Sequence, residues 1–249
     1  MNAALIAQRF AKSADMYEKE ATVQWRIAEK MTTLLERYYD RKGGNILEIG
    51  CGTGIFSRML IETLKPEKML LNDLCSEMCG QVKDVFSNNI KFCAGDAQTY
   101  PFTGRYGVIA SCSTIQWFKK PEDFILRMCL LLETEGIIAL STFGEDNMKE
   151  ISALTGQGLD YLSLEEWEEL LPKHYELLHI SEEKILKYFT HPKEVLYHMK
   201  RTGVTGVTQH RWTRTKLKDF YDRYVHSFKT SEGVMLTYHP IYVIARKKE

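Results

Sequence analysis

The sequence has no excess of charge of either sign, few cysteines and no long hydrophobic run. Its 249 residues carry 33 Lys and Arg against 33 Asp and Glu, so the formal net charge is zero. A protein that coats a nucleic acid duplex needs positive charge to displace counterions, so this balance argues against a nucleic acid partner. No apolar stretch approaches the ~20 residues of a membrane-spanning helix, which argues against a membrane partner.

Cysteine content and the first residues indicate the compartment. Six cysteines in 249 residues are too few for a disulfide scaffold. The stretch from Met1 to Lys19 lacks the apolar core of a secretion signal. Cys75 and Cys79 would share one helix face, but no nearby Cys or His pair completes a zinc set. We therefore expect a reduced, cytoplasmic protein without a metal site.

Strand and helix patterns alternate from about Asn45 to about Phe143, which predicts βαβ units and a parallel, doubly wound α/β sheet. Ligands of such sheets bind beyond the carboxyl ends of the strands. The predicted strands are 45–49, 69–73, 90–93, 106–111 and 137–143, and the predicted helices are 21–38, 55–64, 76–86 and 121–132. Further on, the patterns predict a capped helix from Ser163, extended structure over 175–189 broken near Ser181, helices over 192–201 and 215–228, and a final strand over 236–246.

The strongest local signal is the glycine-rich turn that follows the first predicted strand, Glu48-Ile49-Gly50-Cys51-Gly52-Thr53-Gly54. Glycines there permit a tight turn and a close approach of a ligand to the backbone. The Gly-x-Gly-x-Gly spacing fits neither the dinucleotide fingerprint nor the P-loop. Glu48 would also repel a pyrophosphate, so a positively charged ligand without phosphate suits this turn better.

This turn closely resembles the glycine motif of class I S-adenosylmethionine-dependent methyltransferases, whose cofactor carries an ammonium and a sulfonium and no phosphate. The run Asp73 to Met78 resembles the family's second motif, with Asp73 placed to hold the ribose hydroxyls. Asp96 resembles the acid that reads the adenine amino group, and 111–118 resembles the loop that faces the substrate. The cofactor residues that the resemblance implies are Tyr17, Gln24, Glu48, Gly50, Cys51, Gly52, Gly54, Asp73, Leu74, Met78, Asp96, Ala97, Ser111 and Ile115.

The resemblance also implies the architecture. We expect a seven-stranded, Rossmann-like methyltransferase sheet with strand order 3-2-1-4-5-7-6 and an antiparallel strand seven. Residues 1–249 would form a single methyltransferase domain. Within it, 45–143 would be the S-adenosylmethionine-binding core, and 144–234 a helical cover inserted after strand five. The cover and the first helix would close the acceptor side from water.

Segments at both ends of the chain are similar to a narrower family, the biotin-pathway malonyl-[acyl-carrier protein] O-methyltransferases (BioC type). They are Arg9-Phe10 with Tyr17 and Gln24, then 113–118, 199–203 and 233–238. The similarity implies a monomer that transfers a methyl group from S-adenosylmethionine to the free carboxylate of malonyl-carrier protein or malonyl-CoA, an early step of biotin (pimeloyl) synthesis.

The candidate catalytic residues for such a reaction are Tyr17, Gln116 and Arg201. Tyr17 would cover the sulfonium by a cation–π contact. Arg201, or Arg211 as a second choice, would bind the malonyl carboxylate. Such a carboxylate is already ionised at neutral pH, so no general base is required.

Two other functions stay open on the sequence alone. A quinone-like C- or O-methyltransferase would require a base, and a non-catalytic regulator would bind S-adenosylmethionine without turnover. Charge placement bears on the choice, since 145–183 holds 11 acids and two Lys, and 191–218 holds seven Lys and Arg and one acid. The basic stretch is either a solvated helix face or a docking site for an acidic carrier protein.

Overall fold

A seven-stranded sheet forms the centre of the computed structural model, which describes residues 3–171, 174–204 and 213–248. The strands are β1 (Asn45–Ile49), β2 (Lys68–Asp73), β3 (Ile90–Ala94), β4 (Tyr106–Cys112), β5 (Leu132–Phe143), β6 (Tyr175–Glu182), β7 (Ile185–Phe189), β8 (Lys229–Thr230), β9 (Gly233–Tyr238) and β10 (Pro240–Lys247). The helices are α1 (Ala3–Glu20), α2 (Thr22–Tyr38), α3 (Ile55–Leu64), α4 (Met78–Gln81), α5 (Pro121–Leu131), α6 (Lys149–Thr155), α7 (Leu164–Leu170), α8 (Pro192–Arg201) and α9 (Arg214–Phe228).

The order of the central sheet is β3-β2-β1-β4-β5-β10-β6. The pairs among β1 to β5 are parallel, whereas β10 runs antiparallel to both of its neighbours. Within this sheet β6 is the sixth strand along the chain and β10 the seventh. The expected order 3-2-1-4-5-7-6 is therefore confirmed.

Both faces of the central sheet are covered, which explains why its inner strands are apolar throughout. Ile46 of β1 packs with buried residues of α2 and α3 on one face. Its neighbour Leu47 packs with buried residues of α5 and α7 on the other face. Successive side chains of a strand point to opposite sides, so a strand buried on both faces has no polar alternation.

The cover after β5 contains a second sheet, which the sequence patterns do not predict. Its order is β7-β9-β8, and both of its pairs are antiparallel. The predicted strand 236–246 is wrong as a single element: β9 ends at Tyr238 in the small sheet, and β10 starts at Pro240 in the large one. Proline lacks a backbone N–H, so Pro240 cannot donate to a ladder at this crossover between sheets.

The predicted helix 21–38 is α2, and α1 precedes it, with the chain turning at Ala21 between the two. Two other predicted helices have different boundaries in the structure. The predicted helix 76–86 is reduced to α4 and a 3-10 turn over Lys83–Val85, with Gly80 weakening the segment. The predicted helix 121–132 ends at Leu131, and β5 begins at Leu132 rather than at Ile137. None of the helices in the described ranges is both long enough and apolar enough to span a bilayer.

A buried histidine ties the cover to the N-terminal helix. His198 Nε2 of α8 lies 2.6 Å from the Tyr238 hydroxyl of β9, and its Nδ1 lies 3.5 Å from Glu20 of α1. Burial acts to raise the pKa of Glu20, but the hydrogen bonds and charges of Arg201 and His198 together outweigh it and lower that pKa. The carboxylate favours a proton on Nδ1, so Nε2 accepts from Tyr238. Burial lowers the pKa of His198 to about 4.

We expect the stability of the fold to depend on His198 at mildly acidic pH. The ring is neutral in the folded state down to about pH 4 but takes up a proton below pH 6.5 when unfolded. The contribution of the neutral ring to the free energy of unfolding is complete above pH 6.5. It is lost as the pH falls to about 4, a change of about 3 kcal/mol. Denaturant unfolding of wild type and His198→Gln between pH 7.5 and 4 measures it. The wild type should lose more stability than the variant, and parallel curves would contradict this assignment.

Candidate functional site

A cavity of about 380 Å³, here called the central cavity, lies at the carboxyl ends of β1, β2 and β4. The loops after these strands form its floor, and α1 forms its roof through Phe10, Ala14 and Tyr17. The structure thus brings most of the expected cofactor residues to one space. Those that line it are Tyr17, Gln24, Glu48, Gly50, Cys51, Gly52, Asp73, Leu74, Met78, Asp96 and Ala97.

The glycine turn after β1 lets other loops and a ligand approach the backbone. Gly50 has φ 72°, and a Cβ there would lie 2.1 Å from Thr114 Oγ1, so any side chain would collide with the loop after β4. Gly52 has φ 53°, but a Cβ there would meet nothing within 4 Å. Because Gly52 lines the central cavity, a side chain at that position would project into ligand space rather than into protein.

Asp73 joins the loops that follow β1 and β2. Its Oδ2 accepts a hydrogen bond from the Gly52 N–H at 2.9 Å, and its Oδ1 accepts one from the Cys75 N–H at 2.8 Å. Burial raises the pKa of Asp73, and the two backbone donors oppose that rise. Each carboxylate oxygen can accept a further hydrogen bond, so Asp73 can also receive hydroxyl groups of a ligand.

Glu48 is a buried carboxylate at the end of β1, with 1% of its surface exposed. Its Oε2 has no hydrogen-bond partner among the described residues. Burial, with a further contribution from the charge of Asp73, raises the pKa of Glu48 to about 8. A cationic group in the cavity would satisfy this oxygen and favour the ionised form.

The charges around the central cavity fit a cationic ligand without phosphate. Glu48, Asp73 and Asp96 line it, and Lys119 is the one cation in the part of its wall that the structure describes. Asp96 follows β3, and its Oδ1 accepts from the Gln98 backbone N–H at 2.9 Å. Burial raises the pKa of Tyr17, which therefore lies against the cavity as a neutral phenol.

Two further spaces continue from the central cavity. An inner chamber of about 80 Å³ shares Gln24 and Trp117 with the central cavity. An outer groove of about 780 Å³ shares Gln116, Phe143 and Tyr161 with the inner chamber. The outer groove also shares Phe118 and Lys119 with the central cavity, so the three spaces adjoin one another and a second molecule could reach the central cavity from the groove.

Three expected cofactor residues lie outside the central cavity lining. Gly54 caps α3 with φ 87°, and a Cβ there would meet Val82 at 2.8 Å. Ser111 is buried and donates from Oγ to the Ile49 carbonyl at 2.9 Å. Ile115 is buried in the hydrophobic core. These residues shape the loops but do not reach the ligand space.

The expected catalytic residues are separated in the structure. Tyr17 lines the central cavity, and Gln116 lines the inner chamber and the outer groove. Arg201 lines none of the three spaces, because its guanidinium is held by Glu20 at 2.6 Å. The geometry thus gives no support to Arg201 as the ligand of a carboxylate. Arg211 lies outside the described residues.

Sequence reasoning missed several residues that line these spaces. Thr114 lines the central cavity and packs against Gly50, and Tyr161, Tyr238 and Asn147 line the inner chamber. Asn147 and Tyr161 lie in no motif, Tyr238 ends the family-like segment 233–238 without a role assigned to it, and all three are distant from the glycine turn along the chain. Trp117 lines both the central cavity and the inner chamber. Its position favours a role in the path between these two spaces over a purely structural role between a helix and the sheet.

Comparisons with known proteins agree with this geometry. The profile of the Methyltransferase domain family matches residues 20–203. A malonyl-[acyl-carrier protein] O-methyltransferase from Bacteroides thetaiotaomicron is 46% identical, with all of both chains covered. One of the same name from Haemophilus influenzae is 37% identical over 97% of this chain and 93% of its own. The structure of Haemonchus contortus phosphoethanolamine N-methyltransferase 2 with S-adenosyl-L-methionine has a TM-score of 0.56 at 17% identity, covering 89% of this chain and 53% of its own, a likeness of fold.

We expect the two glycines of the turn to fail in different ways when replaced. Gly50→Ala should destabilise the fold by about 2–4 kcal/mol, because it combines a positive φ with a collision against Thr114. Gly52→Ala should cost only about 1 kcal/mol, since only the backbone is strained. It should nonetheless weaken S-adenosylhomocysteine binding at least tenfold, because its methyl group enters the cavity. Thermal unfolding and calorimetry measure the two effects, and unchanged affinity in Gly52→Ala would contradict this placement.

Proposed function

The chain belongs to the malonyl-[acyl-carrier protein] O-methyltransferase family of S-adenosylmethionine-dependent methyltransferases, and we propose on that basis how its three spaces divide the reaction. The enzyme transfers a methyl group from S-adenosylmethionine to the free carboxylate of a malonyl thioester, an early step of biotin (pimeloyl) synthesis. In our proposal the central cavity holds the cofactor, the inner chamber holds the carboxylate, and the outer groove admits the thioester arm.

The lining of the central cavity suits S-adenosylmethionine. The unpartnered Oε2 of Glu48 would receive the ammonium group, and Asp73 the two ribose hydroxyls. Asp96 would accept from the adenine amino group. Gly50, Gly52 and the remaining lining residues would pack along the nucleoside and the methionine chain. We further propose that 1–249 acts as one domain, with 45–143 as the cofactor core and 144–234 as the acceptor-side cover.

The chemistry requires alignment rather than proton transfer. When bound, S-adenosylmethionine supplies a methyl group on a positively charged sulfur. A carboxylate oxygen forms a bond to the methyl carbon as the carbon–sulfur bond breaks, and the electron pair of that bond stays on sulfur. Tyr17 would cover the sulfonium side, and Gln24 and Trp117, which line both spaces, would border the path of the methyl group.

The observation that favours a carboxylate acceptor is the lack of a general base in the described wall of the inner chamber. Burial raises the pKa of Tyr161 to about 12 and that of Tyr238 still higher, so neither phenol ionises near neutrality. Glu145 lines the chamber as well but is exposed to solvent. A phenol or carbon acceptor would have to lose a proton here, whereas a carboxylate arrives ionised.

A single-turnover experiment tests this function. With S-adenosylmethionine saturating, purified protein should methylate malonyl-CoA or malonyl-carrier protein at a rate that is flat from about pH 6 to 8, because carboxylates titrate near ~4. Labelled methyl groups in a base-labile ester identify the product. A rate that titrates near neutrality would instead indicate a C- or O-methyltransferase with a base, and binding without turnover would indicate a regulator.

We propose that an acidic carrier protein docks beside the chamber on α8 and α9. Met199 of α8 lines the inner chamber, and α8 packs against α9. Lys200, Arg214 and Lys218 are exposed on these two helices. A neutral enzyme needs such a local positive surface to attract an acidic partner. We also propose a monomer, and a cytoplasmic location, which the six free cysteines support.

Charge reversal tests the docking surface. Arg214 and Lys218 lie four apart on one face of α9, and Arg214→Glu with Lys218→Glu should raise the KM for malonyl-carrier protein at least tenfold, with little change for malonyl-CoA. The salt dependence of the carrier-protein reaction should become shallower, because exposed charges are screened beyond ~8 Å. The matched control is Arg41→Glu with Lys42→Glu. These two exposed residues precede β1, at the edge of the sheet opposite to the central cavity. Equal losses on both acceptors would reduce this surface to a solvated helix face.

A further inference from the structure

The side-chain amide of Asn147 has an orientation that the backbone dictates. Its Oδ1 accepts from the His239 backbone N–H at 3.3 Å, and its Nδ2 donates to the Tyr161 hydroxyl oxygen at 2.8 Å. A backbone N–H can only donate, so the amide oxygen must face His239. The amide nitrogen must then face Tyr161. Asn147 therefore donates to Tyr161 and does not accept from it.

The segment that carries Asn147 is held in place on both sides. The Asp146 N–H donates to His239 Nδ1 at 3.1 Å, and His239 Nε2 lies 2.9 Å from Glu182. The Met148 N–H donates to the carbonyl of Thr237 at 2.7 Å. With its neighbours pinned to β9 and to the crossover before β10, Asn147 cannot turn its amide away from Tyr161.

The hydroxyl hydrogen of Tyr161 is left for a ligand. One lone pair of the oxygen is taken by Asn147, and no described residue accepts a hydrogen bond from this hydroxyl. Tyr161 lines both the inner chamber and the outer groove, so its hydroxyl lies where an acceptor would pass. Burial raises the pKa of Tyr161 to about 12, which keeps the proton in place at any physiological pH.

No cation competes for this position in the described wall. The inner chamber has no Lys or Arg among its described lining residues, and its one charged residue is Glu145, which is exposed. The Tyr238 hydroxyl is directed to His198 and so has no hydrogen for the chamber. A carboxylate that enters the chamber would meet the Tyr161 hydroxyl as a neutral donor.

We propose that Tyr161 donates a hydrogen bond to the malonyl carboxylate and that Asn147 directs this hydroxyl, an inference that rests on the function proposed above. A neutral donor fixes one carboxylate oxygen and leaves the electron density of the other for attack on the methyl group. An ion pair with a guanidinium would engage both oxygens at once. The hydrogen bond weakens when the acid becomes an ester, because a neutral ester oxygen is a weaker acceptor than a carboxylate oxygen, and this favours release of the product.

Replacement of the hydroxyl tests the proposal by binding as well as by turnover. Tyr161→Phe in the full-length protein, saturated with S-adenosylhomocysteine, should bind malonyl-CoA about 10- to 100-fold more weakly, the usual effect of losing a hydrogen bond to a charged group. Binding of the methyl ester of malonyl-CoA should weaken less than threefold. The value of kcat/KM for malonyl-CoA and malonyl-carrier protein should fall with the malonyl affinity, and S-adenosylhomocysteine affinity should not change.

Two more variants make the result specific. Asn147→Ala keeps the Tyr161 hydroxyl but removes its direction, and should cost about fivefold in malonyl affinity. Tyr175→Phe removes another buried hydroxyl, one that donates to the Ile125 carbonyl at 2.9 Å away from the site, and should leave the affinity unchanged. Equal weakening of acid and ester would assign the bond to the thioester carbonyl and overturn the proposal, as would unchanged affinity in Tyr161→Phe. A wild type that methylates no malonyl thioester would instead refute the proposed function itself.

Discussion

The half-buried carboxylate of Asp73 makes the contacts on which the geometry of the site depends. It accepts one backbone hydrogen bond from the loop after β1, at Gly52, and one from the loop after β2, at Cys75. A buried carboxylate is costly unless its oxygens are satisfied, so these two donors stabilise both the charge and the arrangement of the loops. Burial raises the pKa of Glu48, and the nearby charge of Asp73 adds to that rise. The two neighbouring carboxylates thus repel each other when both are ionised, and a bound cation would stabilise them.

The reaction requires two reactants of opposite charge in adjoining spaces, and the enzyme treats them differently. Carboxylates line the central cavity and suit a cationic cofactor. The described wall of the inner chamber has no Lys or Arg to match the anionic acceptor; its polar groups are the hydroxyls of Ser152, Tyr161 and Tyr238, side-chain amides and the exposed Glu145. In the proposed arrangement, bound cofactor would itself supply positive charge at the boundary between the two spaces. A fixed cation next to the sulfonium would repel the cofactor, so a neutral donor serves both reactants.

Much of the fold and half of the site could be predicted from local patterns. Alternating strand and helix signals were enough to predict the parallel sheet, whereas its strand order was expected from the family resemblance of the glycine turn and the later motifs. Glu48 and Asp73 lie at the ends of β1 and β2, and Asp96 follows β3; parallel strands bring their carboxyl ends to one edge. These residues therefore meet in one cavity as expected. The glycine turn also predicted a cationic ligand, because phosphate-binding loops have other spacings.

The sequence alone determined the sheet and the cofactor edge, because short-range patterns and strand direction fix both. Only the tertiary structure decided the acceptor side. The sequence pattern offered Arg201 as a cation that could bind a ligand. In the structure it instead forms an ion pair with Glu20, which lies on a helix distant in sequence. The hydrogen bond between Asn147 and His239 joins residues that are far apart in sequence, and no repeating pattern in the sequence predicts it. Side-chain orientation there follows from which groups can donate, and that depends on neighbours which only folding brings together.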